Sequence, residues 1–118
     1  MTLDALPWMD DAAVQPADRW ERATYLFDSG DRIAAARVLD ELVADRPDAV
    51  APRLLLARAY FHSAQLGRAE TALRELLERA PSEGYAHLLL GRTLQRTSRR
   101  EEAAPHLRLA EAMGVPQD

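Results

Sequence analysis

The sequence predicts an all-α fold, an α-solenoid of three tandem helix-turn-helix hairpins (about six helices) preceded by an N-terminal extension. The main observation is a residue pattern that returns every 34 residues, seen most clearly in Ala35, Ala69 and Ala103. A period of this length is typical of stacked helical hairpins. The second observation is that apolar residues such as Trp20 and Ala23 follow one another at helical spacing.

The repeat has a physical cause in the packing of antiparallel helices. Small side chains let facing helices approach closely, so Ala57 on one helix and Ala69 on the next permit contact while larger residues fill the flanks. One hairpin cannot bury its apolar faces alone, whereas about three stacked hairpins form a continuous core. The pattern is carried by Ala57, Tyr60, Ala69, Leu73, Leu76 and Pro81, by Ala23, Leu26, Ala35, Leu39, Leu42 and Pro47 upstream, and by Gly91, Leu94, Ala103, Leu107, Ala110 and Pro116 downstream.

This pattern resembles the tetratricopeptide repeat family, whose unit is a helix-turn-helix of 34 residues with small, aromatic, alanine and proline signature positions. The resemblance covers residues 16–116 and departs from the family at Arg22, where leucine is favoured, and at Val115, where proline is. It implies a non-enzymatic module, such as an adaptor, co-chaperone or regulatory subunit. Such a module binds a partner polypeptide in a concave groove lined by the first helix of each hairpin.

The N-terminal extension, residues 1–15, mixes apolar with acidic side chains, and Pro7 interrupts any long helix. One interpretation is a cap, in which Leu6, Trp8 and Met9 cover the open face of the first helix. The other is an acidic and aromatic peptide that docks in a groove, its own or a neighbour's.

The repeats are predicted at 16–49, 50–83 and 84–118, and Pro16 suits the first helical position. Four of the later helices, the second, third, fifth and sixth, are expected to begin at a side-chain cap, because such a side chain accepts hydrogen bonds from the first backbone N–H groups. The predicted caps are Asp31, Asp48, Ser82 and the pair Ser98 and Glu101.

The last helix differs from its counterparts. Pro105 lies past its first turn, so we expect the helix to bend or to start late. Glu111 stands where the earlier repeats have Val43 and Leu77, which indicates that the array ends here with a polar face. Some apolar side chains, namely Leu109, Met113 and Val115, are then expected to stay partly exposed, which makes self-association plausible.

Aligning the repeats places one set of side chains on the face of the first helices. Arg58, Arg92 and Arg96 form a basic strip flanked by aromatic residues. Guanidinium groups bind carboxylates through paired hydrogen bonds, so the expected ligand is a peptide with acidic and apolar residues. Alternatively, these arginines pair with local acids such as Asp28 on a solvated face. The candidate groove residues are Trp20, Thr24, Phe27, Leu54, Arg58, Phe61, His62, Tyr85, Leu88, Arg92, Gln95 and Arg96.

Composition narrows the function classes. The net charge of −4 argues against nucleic-acid binding, and the absence of cysteine excludes disulfides and thiolate chemistry. The first residues do not resemble a secretory signal and no apolar run is long enough to cross a membrane, so a cytoplasmic location is expected.

No catalytic, metal or cofactor site is predicted, so the cofactor prediction is none. His62, His87 and His106 are far apart in sequence and are expected to be surface side chains. The sequence contains no glycine-rich phosphate loop and no nucleophile elbow. The main alternative function is a self-assembling homo-oligomeric scaffold that uses the N-terminal peptide and the last helix.

Overall fold

The computed structural model describes residues 16–117, and within that range it contains six α-helices and no strand. Each helix packs against the next along the chain, and α3 also touches α5. The helices are α1 (Pro16–Asp28), α2 (Arg32–Asp45), α3 (Val50–His62), α4 (Leu66–Arg79), α5 (Gly84–Arg96) and α6 (Arg100–Ala112). The predicted all-α solenoid of three hairpins is therefore confirmed. The N-terminal extension, with its predicted role as cap or docking peptide, lies outside the described residues.

The repeated small residues occupy the points where helices come closest. Ala35 and Ala69 are fully buried, and Ala103 is 1% exposed. Buried leucines surround them, among them Leu39 in the first hairpin and Leu73 in the second. Two apolar clusters result, one from α1, α2 and the middle and end of α3, the other from α3 to α6. Because both clusters include residues of α3, the three hairpins share one continuous core.

The turn inside each hairpin uses the same backbone geometry at the same repeat position. Gly30, Ala64 and Ser98 have φ angles of 92°, 60° and 62°, in the left-handed region. In each turn this residue's N–H donates to the carbonyl three positions back, and the next N–H donates to the carbonyl five positions back. Such bonds satisfy the carbonyl groups left open at a helix end. Only the first turn has the glycine that this conformation favours.

Of the predicted caps, only Asp31 is confirmed: its carboxylate accepts a hydrogen bond from the Ala34 N–H at 3.1 Å. The other predictions are wrong, since α3, α5 and α6 have no side-chain cap bond. Asp48 instead pairs with Arg79 across to α4, at 2.8 Å. Ser98 is the left-handed turn residue, so its backbone is committed to ending α5.

The predictions for Ser82 and Glu101 failed because of where these residues lie relative to the start of each helix. Ser82 lies one residue before the position that opens α5, which is held by Glu83. Glu101 is the second residue of α6, where its carboxylate lies in the first turn without bonding back to the cap residue, Arg99.

Neighbouring hairpins are linked by a polar contact that also follows the repeat. Arg53 Nε donates to the Pro47 carbonyl at 2.7 Å, and His87 Nε2, 34 residues later, lies 2.9 Å from the Pro81 carbonyl. Since a carbonyl only accepts, His87 Nε2 carries a hydrogen, and in the neutral imidazole Nδ1 is an acceptor. His106 Nδ1, 3.1 Å away, is then the donor. His87 is 7% exposed, so the expectation of a surface side chain was wrong.

The third hairpin ends differently from the other two. Helix α6 runs unbroken through Pro105 from Arg100, so it does not start late. After it, Gly114 has a φ of 83° and the Val115 N–H donates to the Ala110 carbonyl at 3.0 Å. This turn brings Val115 against Gly84, where an added Cβ would lie 2.7 Å from the valine Cγ2. The chain end thereby returns to the face of the first helices.

Exposure along α6 differs from that along the earlier second helices. Glu111 is exposed, whereas Val43 and Leu77 pack against the two cores. Leu109 and Met113 remain 43% and 41% exposed, while Val115 is half-buried. Among the helices of residues 16–117, none combines the length and apolar character required to span a bilayer.

Candidate functional site

The first helices α1 and α3 border a cleft of about 310 Å³, here called the first cleft. Its floor is apolar, because Phe27 and Leu55 are 5% and 8% exposed. Asp28 and Arg58 supply its charged groups. The lining residues are Trp20, Thr24, Phe27, Asp28, Ala51, Leu54, Leu55 and Arg58.

A second cleft, of about 390 Å³, lies between α3, α5 and the chain end that follows α6. Leu88 and Leu89 form its floor, and Arg92 supplies a charged side chain. The two clefts together are called the first-helix groove below. The residues lining the second cleft are Phe61, His62, Tyr85, Leu88, Leu89, Arg92, Val115 and Pro116.

The structure brings most of the twelve sequence-predicted groove residues to these clefts. Five line the first cleft and five line the second. Arg96 lies beside the second cleft, with its guanidinium 4.8 Å from the Phe61 ring centroid and 3.2 Å from the Phe61 carbonyl. Gln95 is the exception, since it lines a separate depression beside the turn residue Ser98 and Arg99. Whether these residues bind a peptide stays a prediction.

The groove arginines are held by aromatic rings. Arg58 lies over Phe27 at 4.8 Å and over Tyr85 at 5.9 Å, so one guanidinium connects the two clefts. Arg32, the first residue of α2, also lies 4.8 Å from the Phe27 centroid. A ring face attracts a cation, by about 0.5–2 kcal/mol depending on exposure. Ring contacts fix the positions of these cations without neutralising their charge.

No carboxylate among residues 18–117 forms an ion pair with Arg58, Arg92 or Arg96. The alternative in which these side chains pair with local acids such as Asp28 is therefore not what the structure shows. The Nε atoms of Arg32 and Arg58 are buried and have no hydrogen-bond acceptor in this part of the chain. Arg58 and Arg92 line the two clefts with one carboxylate, that of Asp28, so the groove carries net positive charge.

The pKa of the His62 imidazole responds to this charge. Its ring packs edge-on against Phe27 at 6.0 Å and Phe61 at 5.4 Å. Partial burial and the nearby guanidiniums of Arg32, Arg58 and Arg96 hold the pKa of the imidazole below its usual value. A negative ligand near His62 would raise its pKa.

Sequence reasoning missed Leu55 and Leu89, which form the floors of the clefts, and also Arg32, Val115 and Pro116. Arg32 belongs to a second helix, but it follows the hairpin turn directly and so reaches back to Phe27. Its spacing of five residues from that aromatic residue was the available signal. Val115 and Pro116 reach the second cleft because Gly114 reverses the chain, and the glycine before them was the signal there.

The chemistry that this arrangement supports is noncovalent binding. Apolar floors accept aliphatic or aromatic groups, and unpaired guanidiniums accept carboxylates. Across residues 16–117, no group of three or more histidine or acidic side chains is placed to hold a metal ion.

Residues 26–93, more than half of the chain, match the sequence model of the family described as Tetratricopeptide repeat. The chain belongs to the tetratricopeptide repeat family. No curated protein is a significant match to the sequence. The predicted family resemblance is thus confirmed, and the hairpins described above are tetratricopeptide repeats.

Solved structures with the same repeat geometry share little sequence with this tetratricopeptide repeat chain. MamA MSR-1 superposes with a TM-score of 0.81 at 19% identity, covering 88% of this chain and 60% of the other. MamA from Desulfovibrio magneticus RS-1 gives 0.77 at 23% identity, with coverages of 83% and 55%. The chain thus spans about three-fifths of the length of the MamA structures.

A third neighbour is the type III secretion translocator chaperone SycD of Yersinia enterocolitica. It superposes with a TM-score of 0.79 at 18% identity, covering 83% of this chain and 74% of the other. At such low identity, the neighbours show the fold that the tetratricopeptide repeats build.

Proposed function

We propose that this chain is a non-enzymatic interaction module whose first-helix groove binds a partner polypeptide containing acidic and apolar residues. The observation that carries the proposal is the set of groove arginines that lie over aromatic rings and have no ion-pair partner among residues 18–117. A role as adaptor, co-chaperone or regulatory subunit in the cytoplasm belongs to the same proposal.

The acidic part of the ligand is inferred from the cations. Arg58 and Arg92 belong to neighbouring first helices, α3 and α5, so carboxylates spaced along one peptide can meet both. Because Arg58 is already ordered by two rings, less side-chain entropy is lost when a carboxylate binds. Charge-assisted hydrogen bonds of this kind are about twice as strong as neutral ones.

The apolar part of the ligand is inferred from the floors of the clefts. Leu55 in the first cleft and Leu89 in the second present their remaining surface at the base of an opening. Trp20 and Tyr85 form aromatic walls beside them. Buried aromatic and aliphatic anchors supply most of the binding energy in interfaces, so each cleft is suited to one apolar side chain.

The test is an NMR titration of the full-length chain with short synthetic peptides of equal length: acidic and apolar, basic and apolar, or neutral and polar. We expect only the acidic and apolar peptide to shift the backbone amides of Arg58 and Tyr85. Replacing Arg58→Glu together with Arg92→Glu should weaken that binding by about a hundredfold or more, because attraction becomes repulsion at two sites.

The control is the double variant Arg37→Glu and Arg108→Glu, which changes the net charge equally at exposed positions on second helices. Both double variants should keep the helical circular dichroism of the parent. Equal loss of binding in both would mean that the peptide senses only the net charge, and unchanged binding in the groove variant would overturn the proposal.

A second candidate, a self-assembling scaffold, is favoured by the exposed side chains of Leu109 on α6 and Met113 directly after it. Apolar groups that remain open at the end of a repeat array can be covered by another copy. Static light scattering over a range of concentrations tests it. An oligomer that Leu109→Glu dissociates supports the scaffold, and a monomer at every concentration excludes it.

A further inference from the structure

We propose that residues 1–15, the acidic N-terminal extension, bind in the first-helix groove of the same chain, so that the extension is the first ligand this groove meets. The inference rests on the proposed function, because it uses the same groove and the same ligand chemistry. It adds that a foreign partner has to displace a segment of the chain itself.

Charge complementarity is the first argument. The extension contains Asp4, Asp10 and Asp11 and no basic side chain, so it holds three of the four net negative charges of the protein. The groove has a net charge of the opposite sign, since Arg58 and Arg92 outnumber Asp28, the one carboxylate lining the two clefts, and form no ion pair among residues 18–117. The acidic extension and the basic groove should therefore attract each other. No ion pair among the described residues neutralises the groove arginines.

The apolar side chains of the extension fit the other half of the site. Trp8 and Met9 stand directly before Asp10 and Asp11. This is the combination of acidic and apolar groups that the clefts accept, with an aromatic anchor of the kind that dominates binding energy. The first cleft offers the aromatic face of Trp20 and the apolar floor of Leu55.

The extension is long enough to reach. It joins α1 at Pro16, and the first cleft runs along α1 from Trp20 to Phe27. Phe27, at the far end of the cleft, lies about 16 Å along the helix from Pro16, at about 1.5 Å per residue. Trp8 precedes Pro16 by eight residues, which can extend over about 26 Å. Trp8 can therefore reach the far end of the cleft after the chain reverses direction.

The other end of the protein already shows such an arrangement. After Gly114 turns the chain, Val115 and Pro116 line the second cleft beside Tyr85. A terminal segment thus already borders one half of the groove. Because the extension is covalently attached, its effective concentration at the groove is of the order of millimolar, so even weak intrinsic affinity leads to substantial occupancy.

The test uses paramagnetic relaxation in the full-length chain. The protein has no cysteine, so Ala5→Cys gives a single site for a nitroxide label in the extension. We expect the label to broaden the backbone amide signals of Arg58 and Tyr85 and to spare those of Glu78 and Arg108 on second helices. Adding Asp10→Lys and Asp11→Lys to the labelled chain should remove this broadening, because like charges then face each other.

A mixed sample separates binding within one chain from binding between chains. Nitroxide-labelled protein at natural isotope abundance is mixed with ¹⁵N-labelled protein that carries no nitroxide. Broadening of the ¹⁵N-detected signals then arises only between molecules. Broadening of groove signals in this sample would overturn the proposal in favour of exchange between copies. Broadening confined to Tyr25 and Ile33 in the singly labelled chain would overturn it in favour of a cap on the open face of the first hairpin.

A peptide titration distinguishes failure of this inference from failure of the proposed function. If the extension occupies the groove, Asp10→Lys with Asp11→Lys should tighten binding of the synthetic acidic and apolar peptide by about three- to tenfold, because fewer molecules have a blocked site. Equal affinity in parent and variant overturns the inference while leaving peptide binding intact. Absence of peptide binding in both proteins counts against the proposed function itself.

Discussion

Arginine side chains on the two sides of this molecule have different surroundings. On the second-helix side, Arg74, Arg79 and Arg99 each form ion pairs with carboxylates. On the first-helix side, Arg58 and Arg96 lie over aromatic rings and have no such pair within residues 18–117. Arg19 of α1 and Arg53 of α3 are also ion-paired, with Asp45 and Glu75. The same residue type thus stabilises the scaffold where an acid is near and leaves its charge available in the groove.

The paired side is built around Glu70, whose carboxylate accepts hydrogen bonds from Arg99 at 2.6 Å and Arg74 at 3.0 Å. Arg99 also binds Glu102 through two bonds of 3.0 and 2.8 Å. This network joins α4 to α6, so it links the second and third hairpins. The difference teaches that a basic residue in a repeat protein indicates a binding site only where the chain supplies no acid for it.

The largest effect is expected from a contrast within α3. Arg53→Met should lower the free energy of unfolding by about 1–3 kcal/mol, because it removes the donor to the Pro47 carbonyl and the ion pair with Glu75 at 3.6 Å. Arg58→Met should change it by less than about 0.5 kcal/mol, because methionine keeps the contact with Phe27 and removes a buried Nε that has no acceptor within the described chain.

Urea unfolding followed by circular dichroism measures both values. The two variants remove the same charge from the same helix, so each is the matched control of the other. Equal destabilisation would contradict the division between scaffold arginines and groove arginines.

A smaller effect is expected from the ion network. Burial alone would raise the pKa of Glu70, but the hydrogen bonds and charges of Arg99 and Arg74 outweigh it and hold the pKa below its usual value. The network therefore stabilises the fold above the unfolded pKa of about 4.5, and the contribution is lost as the pH falls through the lower folded pKa. Glu70→Gln should cost about 1 kcal/mol at pH 7 and low salt, and less at high salt.

Glu78→Gln is the control for this network, because Glu78 lies on the same helix, is exposed and forms no ion pair among residues 18–117. Unfolding measured in urea at low and high salt gives the comparison. A cost for Glu70→Gln that is independent of salt would show that hydrogen-bond geometry, and not charge, stabilises this junction.

The sequence predicted the fold in detail because the repeat is periodic and each position has three examples. Ten of the twelve predicted groove residues line the clefts, since side-chain direction on a helix follows from spacing. It could not show that rings, and not Asp28, surround Arg58, because contacts across helices depend on rotamers. The cap predictions failed because of local backbone geometry: the left-handed Ser98 ends α5, and Ser82 lies one residue before the position that opens that helix.

The return of the chain end was the other feature that sequence reasoning missed. Val115 was predicted to stay partly exposed, and it is half-buried, but the sequence did not show that the left-handed Gly114 directs it to the groove. A single backbone angle decides this outcome, and hydrophobic periodicity contains no information about that angle. Sequence patterns are therefore most reliable inside helices and least reliable where the array ends.

The smallest effect, and the most direct measure of the groove charge, is the titration of His62. Its pKa should lie below the ordinary value of about 6.5 in the unliganded chain, because partial burial and the charges of Arg32, Arg58 and Arg96 disfavour the imidazolium. An acidic peptide in the groove should raise that pKa, so binding should tighten as the pH falls from 7 towards 5.5. The imidazole signals in NMR spectra give the value directly. His106 is the internal control: burial, His87 and Arg74 lower its pKa while Glu102 raises it, and it should not respond to the peptide. A His62 pKa that the acidic peptide leaves unchanged would show that the peptide binds away from the groove arginines.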